Sequence, residues 1–155
     1  MSKVYIAYGS NLNMEQMQAR CPDAWFCGTG KLENWELLYR GGTRSGGVAT
    51  IRRKKGKTVP VGLWFISEED EKHLDVYEGF PWLYAKQNVF VQLDRGDKKV
   101  KGLVYIMTPK YCIPSYPSES YIKTILKGYV DCRLDMEVFE ESLMNCCIEM
   151  RKERP

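Results

Sequence analysis

Two short stretches of the sequence carry groups suited to ligand binding or proton transfer, and the first lies near the N-terminus. It reads Tyr8-Gly9-Ser10-Asn11-Leu12 and follows an apolar run. Glycine lets the backbone approach a ligand closely, and the amides that follow precede a predicted helix start, where unpaired N–H groups attract negative charge. The turn suits a carboxylate and is too short to cradle a phosphate. Alternatively, Gly, Ser and Asn only form the turn.

The second stretch spans residues 74–82 and contains Glu78 at the C-terminal end of a predicted helix. That end of a helix is partly negative and disfavours a carboxylate. An apolar pocket would also raise the pKa of the Glu78 carboxyl group, and a general acid–base catalyst works best with a pKa near the working pH. Glu78 is therefore a candidate for proton transfer, unless it is an exposed glutamate beside a turn. Its aromatic neighbours along the chain are Tyr77, Phe80, Trp82 and Tyr84.

Two further segments could line a site, although each has an ordinary structural explanation. Residues 46–51, Gly-Gly-Val-Ala-Thr-Ile, open a predicted strand with paired glycines. Such a pair permits close backbone packing or a bulge, but it would equally serve a hairpin connection. Tyr121 falls near the start of a predicted helix and could direct its hydroxyl into a pocket. A tyrosine on the apolar stripe of a helix more often packs in the core.

The elements that must position these segments are mostly strands, followed by helices. Asn13 is a predicted helix cap with Gln16 as its capping-box partner, and that helix ends near Cys21 because Pro22 cannot continue it. Six or seven strands among three or four helices favour an α+β fold, a mixed barrel or curled sheet, over a doubly wound parallel sheet. We expect a single domain over residues 1–155. Strands after the first are predicted at residues 26–32, 35–39, 47–52, 59–66, 84–93 and 101–107.

Composition narrows the classes of function. The chain is 28% charged and 44% apolar, which is typical of a globular protein, and its net charge of +3 demands neither nucleic acid nor a membrane surface. The basic run at residues 52–57 lacks interleaved aromatic residues and is predicted to be a solvated hairpin tip. Six cysteines without a Cys-x-x-Cys pair, and a single histidine, His73, give no zinc pattern. With no signal-peptide or membrane-spanning run, we expect a cytoplasmic protein without metal or cofactor.

Taken together, these segments resemble the gamma-glutamylcyclotransferase-like (AIG2-like) family. A strand leading into Tyr-Gly-Ser-Asn-Leu is similar to the family's opening, and Leu-Asp-x-Tyr-Glu-Gly at residues 74–79 is similar to its glutamate motif. The likeness extends from about Val4 to about Leu143. It implies a small mixed β-barrel with flanking helices, with Glu78 as the catalytic residue. The substrate-binding residues that the resemblance implies are Tyr8, Gly9, Ser10, Asn11, Leu12, Tyr84 and Tyr121.

The reaction implied by the resemblance is an intramolecular acyl transfer. The α-amine of a gamma-glutamyl substrate attacks its own γ-carbonyl, so 5-oxoproline forms and an amine or amino acid leaves. One carboxyl group can take a proton from the attacking amine and return one to the leaving amine. The leaving group stays open between an amino acid, an amine such as a gamma-glutamyl-lysine remnant, and a protected metabolite. A non-catalytic small-molecule-binding domain on the same scaffold is the remaining alternative, and both a monomer and a homodimer are compatible with the sequence.

Overall fold

Five β-strands close into a barrel in this computed structural model, which describes residues 3–41 and 45–152. The order around the barrel is β1-β3-β2-β4-β5, and β1 closes it by pairing in parallel with β5. Every other neighbouring pair is antiparallel. The predicted mixed barrel with flanking helices is therefore confirmed. The strands are β1 (Lys3–Ala7), β2 (Trp25–Arg40), β3 (Val48–Ile66), β4 (Tyr84–Leu93) and β5 (Lys99–Met107).

Two of the strands are longer than predicted, because β2 and β3 each join two of the predicted strands into one. The register between them shifts beside Asn34, whose φ is 66°. The amide of Gly56 donates a hydrogen bond to Asn34 Oδ1 at 3.0 Å across this irregularity. The prediction of a hairpin tip at residues 52–57 is thus wrong, since these residues lie inside β3, although all six are exposed to solvent. Residues 54–57 lie opposite Asn34 alone, so β3 bulges outward at this point without reversing its direction as a hairpin would.

Four α-helices flank the barrel within the described residues. Asn13 caps the first, because its side chain accepts a hydrogen bond from the Gln16 amide at 3.0 Å, as predicted. The Gln16 side chain does not complete a capping box but donates to Asn11 Oδ1 at 3.3 Å. Ser118 caps the third helix by accepting from the Tyr121 amide. The helices are α1 (Met14–Arg20), α2 (Glu68–Glu78), α3 (Glu119–Asp131) and α4 (Glu137–Lys152), and short 3-10 turns cover Ser10–Leu12 and Pro109–Tyr111.

Helix α2 has well-defined signals at both ends. Ser67 and Asp70 form a reciprocal capping box at its start, which satisfies two of the amides that a helix leaves without partners. Gly79 ends it in the left-handed conformation, with φ of 65°, which costs glycine little because it has no Cβ. The helix therefore ends at Glu78, the residue that the sequence placed at the C-terminal end of a predicted helix.

The C-terminal helix α4 is attached to the barrel by an ion pair between a buried arginine and a partly exposed glutamate, which the sequence did not indicate. The Arg40 side chain is 3% exposed, and its Nη1 and Nη2 lie 3.1 and 2.8 Å from the Glu149 carboxylate oxygens. A buried arginine needs such a partner, because an unpaired charge is costly in the interior. Tyr39 and Ser142 add a hydrogen bond of 2.9 Å between the same two elements.

Candidate functional site

A cavity of about 140 Å³ lies beside the turn that follows β1, and it brings the two sequence motifs together. Glu78, from the end of α2, lines it opposite residues of the 3-10 turn. The two stretches are far apart along the chain, so only the closure of the barrel brings them together. The predicted site residues that line this cavity are Tyr8, Gly9, Ser10, Asn11, Glu78, Tyr84 and Tyr121.

Glu78 is positioned by contacts made one turn earlier in α2. Leu74 is fully buried in the core. Asp75 accepts a 2.6 Å hydrogen bond from the Tyr105 hydroxyl on β5, and its carboxylate lies 2.9 Å from the Lys86 ammonium on β4. These contacts attach the last turn of α2 to the barrel wall, so the backbone of Glu78 is fixed relative to the cavity.

The Glu78 carboxyl group is in an environment that favours its protonated form. Removal from solvent raises its pKa to about 7, and the positive charge of nearby Arg20 opposes this shift. The shift has the direction that the sequence predicted, and desolvation is its principal cause. No residue within ranges 3–41 and 45–152 forms a hydrogen bond or ion pair with this carboxyl group. At neutral pH the Glu78 carboxyl group is therefore present in both its protonated and its ionised form. A substrate need not displace a protein partner to reach it.

The aromatic wall around Glu78 differs from the one expected from its sequence neighbours. Tyr77 and Tyr84 line the cavity, but Trp82 does not and is 77% exposed. Phe80 packs instead beneath the Lys86 ammonium, which lies 4.3 Å from the centre of its ring. The remaining aromatic side chains come from distant elements, and they are Tyr5, Tyr8, Tyr105 and Tyr121.

The turn after β1 packs tightly against β3. A Cβ atom added to Gly9 would lie 3.0 Å from the Cβ of Ala49, so any larger residue would displace one of these two segments. The Leu12 amide donates a hydrogen bond to the Gly9 carbonyl at 3.0 Å. The amides at the start of a helical turn, by contrast, have no hydrogen-bond partner within the turn. Leu12 is fully buried and is the one predicted substrate-binding residue that does not line the cavity.

Three tyrosine hydroxyls are organised by the backbone around the cavity. Tyr84 donates to the carbonyl of Ala49 at 2.6 Å, and Tyr8 donates to the carbonyl of Tyr105 at 2.6 Å. Tyr121 differs, because its oxygen accepts a 3.0 Å hydrogen bond from the Ala49 amide, and the Ser10 side chain is a second hydrogen-bond partner of this hydroxyl. Burial raises the pKa of Tyr121 to about 12. Its hydroxyl is therefore neutral at physiological pH and can donate a hydrogen bond.

Four residues that line the cavity were not predicted from the sequence: Tyr5, Arg20, Leu83 and Tyr105. Arg20 is the last residue of α1, and its Nη1 donates to Asn11 Oδ1 at 2.9 Å. A basic residue in the last turn of a helix is common, because the helix dipole favours it. Nothing local therefore marked Arg20 as part of a site, and the two tyrosines resembled ordinary barrel residues.

The described residues do not group three or more histidine, cysteine, aspartate or glutamate side chains as a metal site requires. His73 is exposed on α2. In the same part of the chain, every helix is too short or too polar to cross a lipid bilayer. The groups that the cavity does present are a titratable carboxyl group, a guanidinium group, hydroxyls and backbone amides.

Comparisons with known proteins give a consistent result. A family model described as gamma-glutamyl cyclotransferase, AIG2-like, matches residues 5–123. A mouse protein named gamma-glutamylcyclotransferase is 32% identical over 149 residues, which cover 89% of this chain and 76% of the mouse protein. The human protein of the same name is 31% identical over 147 residues, covering 90% and 77%. A solved structure titled gamma-glutamyl cyclotransferase is 30% identical with a TM-score of 0.83, over 93% of this chain and 87% of that one.

Proposed function

Because the chain belongs to the gamma-glutamyl cyclotransferase, AIG2-like family, we propose that it is an enzyme that converts gamma-glutamyl compounds to 5-oxoproline and a free amine or amino acid. The observation that carries the proposal is the Glu78 carboxyl group, unpaired and with its pKa raised to about 7, in one cavity with the Gly9–Asn11 turn. A proton-transfer group and an anion-binding turn are the two components that this cyclisation requires.

The first task of the site is to fold the substrate. In our proposal the backbone amides of Gly9, Ser10 and Asn11 hold the α-carboxylate of the glutamyl group, with Tyr8, Tyr84 and Tyr121 around it. This would place the α-amine next to the γ-carbonyl of the same molecule. Orientation of two reacting groups can contribute up to about 7–11 kcal/mol to lowering a barrier. The small volume of the cavity, about 140 Å³, favours a compact glutamyl group over an extended one.

The second task is to move two protons. The attacking amine starts as an ammonium ion, and the ionised form of Glu78 accepts the proton that makes it nucleophilic. The same carboxyl group, now protonated, donates to the leaving nitrogen as the bond to the γ-carbon breaks. The carboxylate then takes the second proton from the ring nitrogen, which would otherwise stay positively charged, and returns it to the released amine. A carboxyl group with a pKa near 7 serves both steps at neutral pH. The neutral Tyr121 hydroxyl can donate a hydrogen bond to the developing oxyanion and so stabilise it.

The raised pKa of Glu78 predicts the pH dependence of turnover. The reaction begins with the ionised carboxylate, so kcat/KM should rise about tenfold per pH unit below pH 7 and level off above about pH 7. Initial rates of 5-oxoproline release between pH 5 and pH 8 measure this profile. A profile that is flat from about pH 5.5 upward would mean that a carboxyl group of ordinary pKa, or none, limits the rate.

A panel of gamma-glutamyl compounds tests the proposed activity. We expect 5-oxoproline release from at least one class among gamma-glutamyl amino acids, gamma-glutamylamines and gamma-glutamyl-lysine, with the same product in each productive case. Quantifying 5-oxoproline and the released amine in equal amounts would establish cyclisation and exclude hydrolysis, which gives glutamate. Recovery of every compound unchanged after prolonged incubation, with tight binding of one, would contradict an enzymatic function and indicate a binding domain.

The proposed setting is the cytoplasm. All six cysteines are free thiols, and Cys21, Cys132 and Cys146 are buried. Unpaired cysteines in this number are typical of a reducing compartment. The cavity is formed within one chain, so the proposed reaction requires no second copy, no nucleic acid and no membrane surface.

A further inference from the structure

Arg20 stands at the mouth of the cavity. The floor is made of Tyr5, Tyr8 and Tyr105, none more than 7% exposed. Arg20 is half-buried, and its guanidinium lies 4.5 Å above the centre of the Tyr77 ring, which is 57% exposed. A guanidinium group that is stacked on an aromatic ring in this way is held in one plane.

The guanidinium group is held in place but not neutralised. Its Nη1 donates to Asn11 Oδ1 at 2.9 Å, and Asn11 Nδ2 in turn donates to the Tyr5 hydroxyl at 2.9 Å. This leaves other N–H groups of Arg20 without a protein acceptor. In the described part of the chain, no carboxylate oxygen lies within 4.0 Å of it, although ion pairs are frequent elsewhere on the surface. An oriented, unpaired guanidinium group in a cavity is complementary to a carboxylate.

We propose that Arg20 binds a carboxylate group of the substrate. The inference rests on the proposed function, because gamma-glutamyl amino acids carry two carboxylates, one on the glutamyl group and one on the leaving amino acid. Either carboxylate could pair with Arg20, and the guanidinium group would recognise both through the same chemistry. In both cases Arg20 determines specificity, because it favours substrates that carry the carboxylate it pairs with. Pairing also withdraws a positive charge from Glu78, which makes that carboxylate a stronger base when the substrate is bound.

The binding of three ligands tests the proposal without requiring turnover. Calorimetry in a Glu78→Gln background compares gamma-glutamyl-alanine, which has both carboxylates, with gamma-glutamyl-propylamide and 4-aminobutyryl-alanine, which have one each. Adding Arg20→Gln should weaken binding of gamma-glutamyl-alanine about 10- to 100-fold. If Arg20→Gln also weakens binding of gamma-glutamyl-propylamide but not of 4-aminobutyryl-alanine, Arg20 pairs with the glutamyl carboxylate. If it also weakens binding of 4-aminobutyryl-alanine but not of gamma-glutamyl-propylamide, Arg20 pairs with the leaving-group carboxylate. Arg20→Lys should restore part of the affinity.

Arg53 provides a matched control, because its guanidinium also lies 4.5 Å from an aromatic ring, that of Trp35, outside this cavity. Arg53→Gln should leave all three affinities unchanged. Equal losses for the three ligands in Arg20→Gln would show a structural role and overturn the proposal. Unchanged affinities, or no binding of any ligand to the Glu78→Gln protein, would overturn it as well. Release of 5-oxoproline by the wild-type protein tests the proposed function separately.

Discussion

Replacing Glu78 with glutamine should reduce kcat about 10²- to 10⁴-fold while leaving substrate binding nearly unchanged, because general acid–base catalysis typically contributes this much. Glutamine has the same shape but neither takes up nor releases a proton near neutral pH. The measurement is steady-state release of 5-oxoproline, with binding followed by calorimetry. Glu68→Gln is a suitable control, since Glu68 is exposed in the first turn of the same helix. A Glu78→Gln variant with close to wild-type kcat would remove Glu78 from the mechanism.

The same substitution should make the protein more stable at alkaline pH. The pKa of Glu78 is raised from its ordinary value of 4.5 to about 7 on folding. A raised pKa means that folding stabilises the protonated form, so this contribution to the free energy of unfolding is present below pH 4.5 and is lost as the pH rises through 7. Glutamine never ionises and avoids the loss. We expect a higher Tm for Glu78→Gln than for wild type at pH 8, and equal Tm values near pH 4, which separates lost chemistry from misfolding.

Substituting Gly128 with alanine should weaken both stability and catalysis, although alanine normally favours a helix by about 1 kcal/mol over glycine. A Cβ atom at residue 128 would lie 2.6 Å from backbone atoms of Leu12 and Asn13, in the turn that forms the cavity wall. Helix α3 would have to move away from that turn and take Tyr121 with it. Overpacking of this kind costs about 1–3 kcal/mol, and a displacement of about 1 Å can reduce turnover about 10²-fold.

Urea unfolding and 5-oxoproline release measure the two effects of Gly128→Ala. Lys123→Ala is the control, because Lys123 lies on the exposed face of the same helix, with its side chain 72% exposed. It should change the free energy of unfolding by less than about 0.5 kcal/mol and leave turnover intact. If Gly128→Ala is instead more stable than wild type and fully active, α3 is not seated against the turn as the structure describes.

The parts of the fold that could be predicted from sequence are those with local signals. Ser67 and Ser118 as helix caps and Gly79 as a helix end follow from side-chain chemistry and backbone freedom within a few residues. The long strands could not be predicted in this way. Their continuity depends on Asn34 and Gly56 pairing across β2 and β3, and two residues far apart in sequence give no sign of such a contact.

The residues of the functional site also differ in whether a local sequence signal marks them. Glu78 and the Gly9–Asn11 turn were recognisable because each motif is contiguous, and their environments could be argued from a helix end and a glycine turn. Arg20 could not be recognised, since its role depends on Asn11 and Tyr77 meeting it in space. Trp82 is the opposite case, because it lies close to Glu78 in the sequence but its side chain is exposed to solvent and lies outside the cavity. Closeness along the chain therefore indicates closeness in space only over a few residues.

A direct titration of the Glu78 carboxyl group would show whether the protein raises the pKa of this group as proton transfer requires. Carbon-13 NMR of protein labelled at the glutamate side-chain carboxyl, with Glu78→Gln to assign the resonance, reports the pKa of this one group. If Glu78 is the proton-transfer group, the midpoint should lie near pH 7, and the same resonance should shift when 5-oxoproline is added. A midpoint between about 4 and 5, the range of a solvated glutamate, with no response to 5-oxoproline, would contradict this role of Glu78.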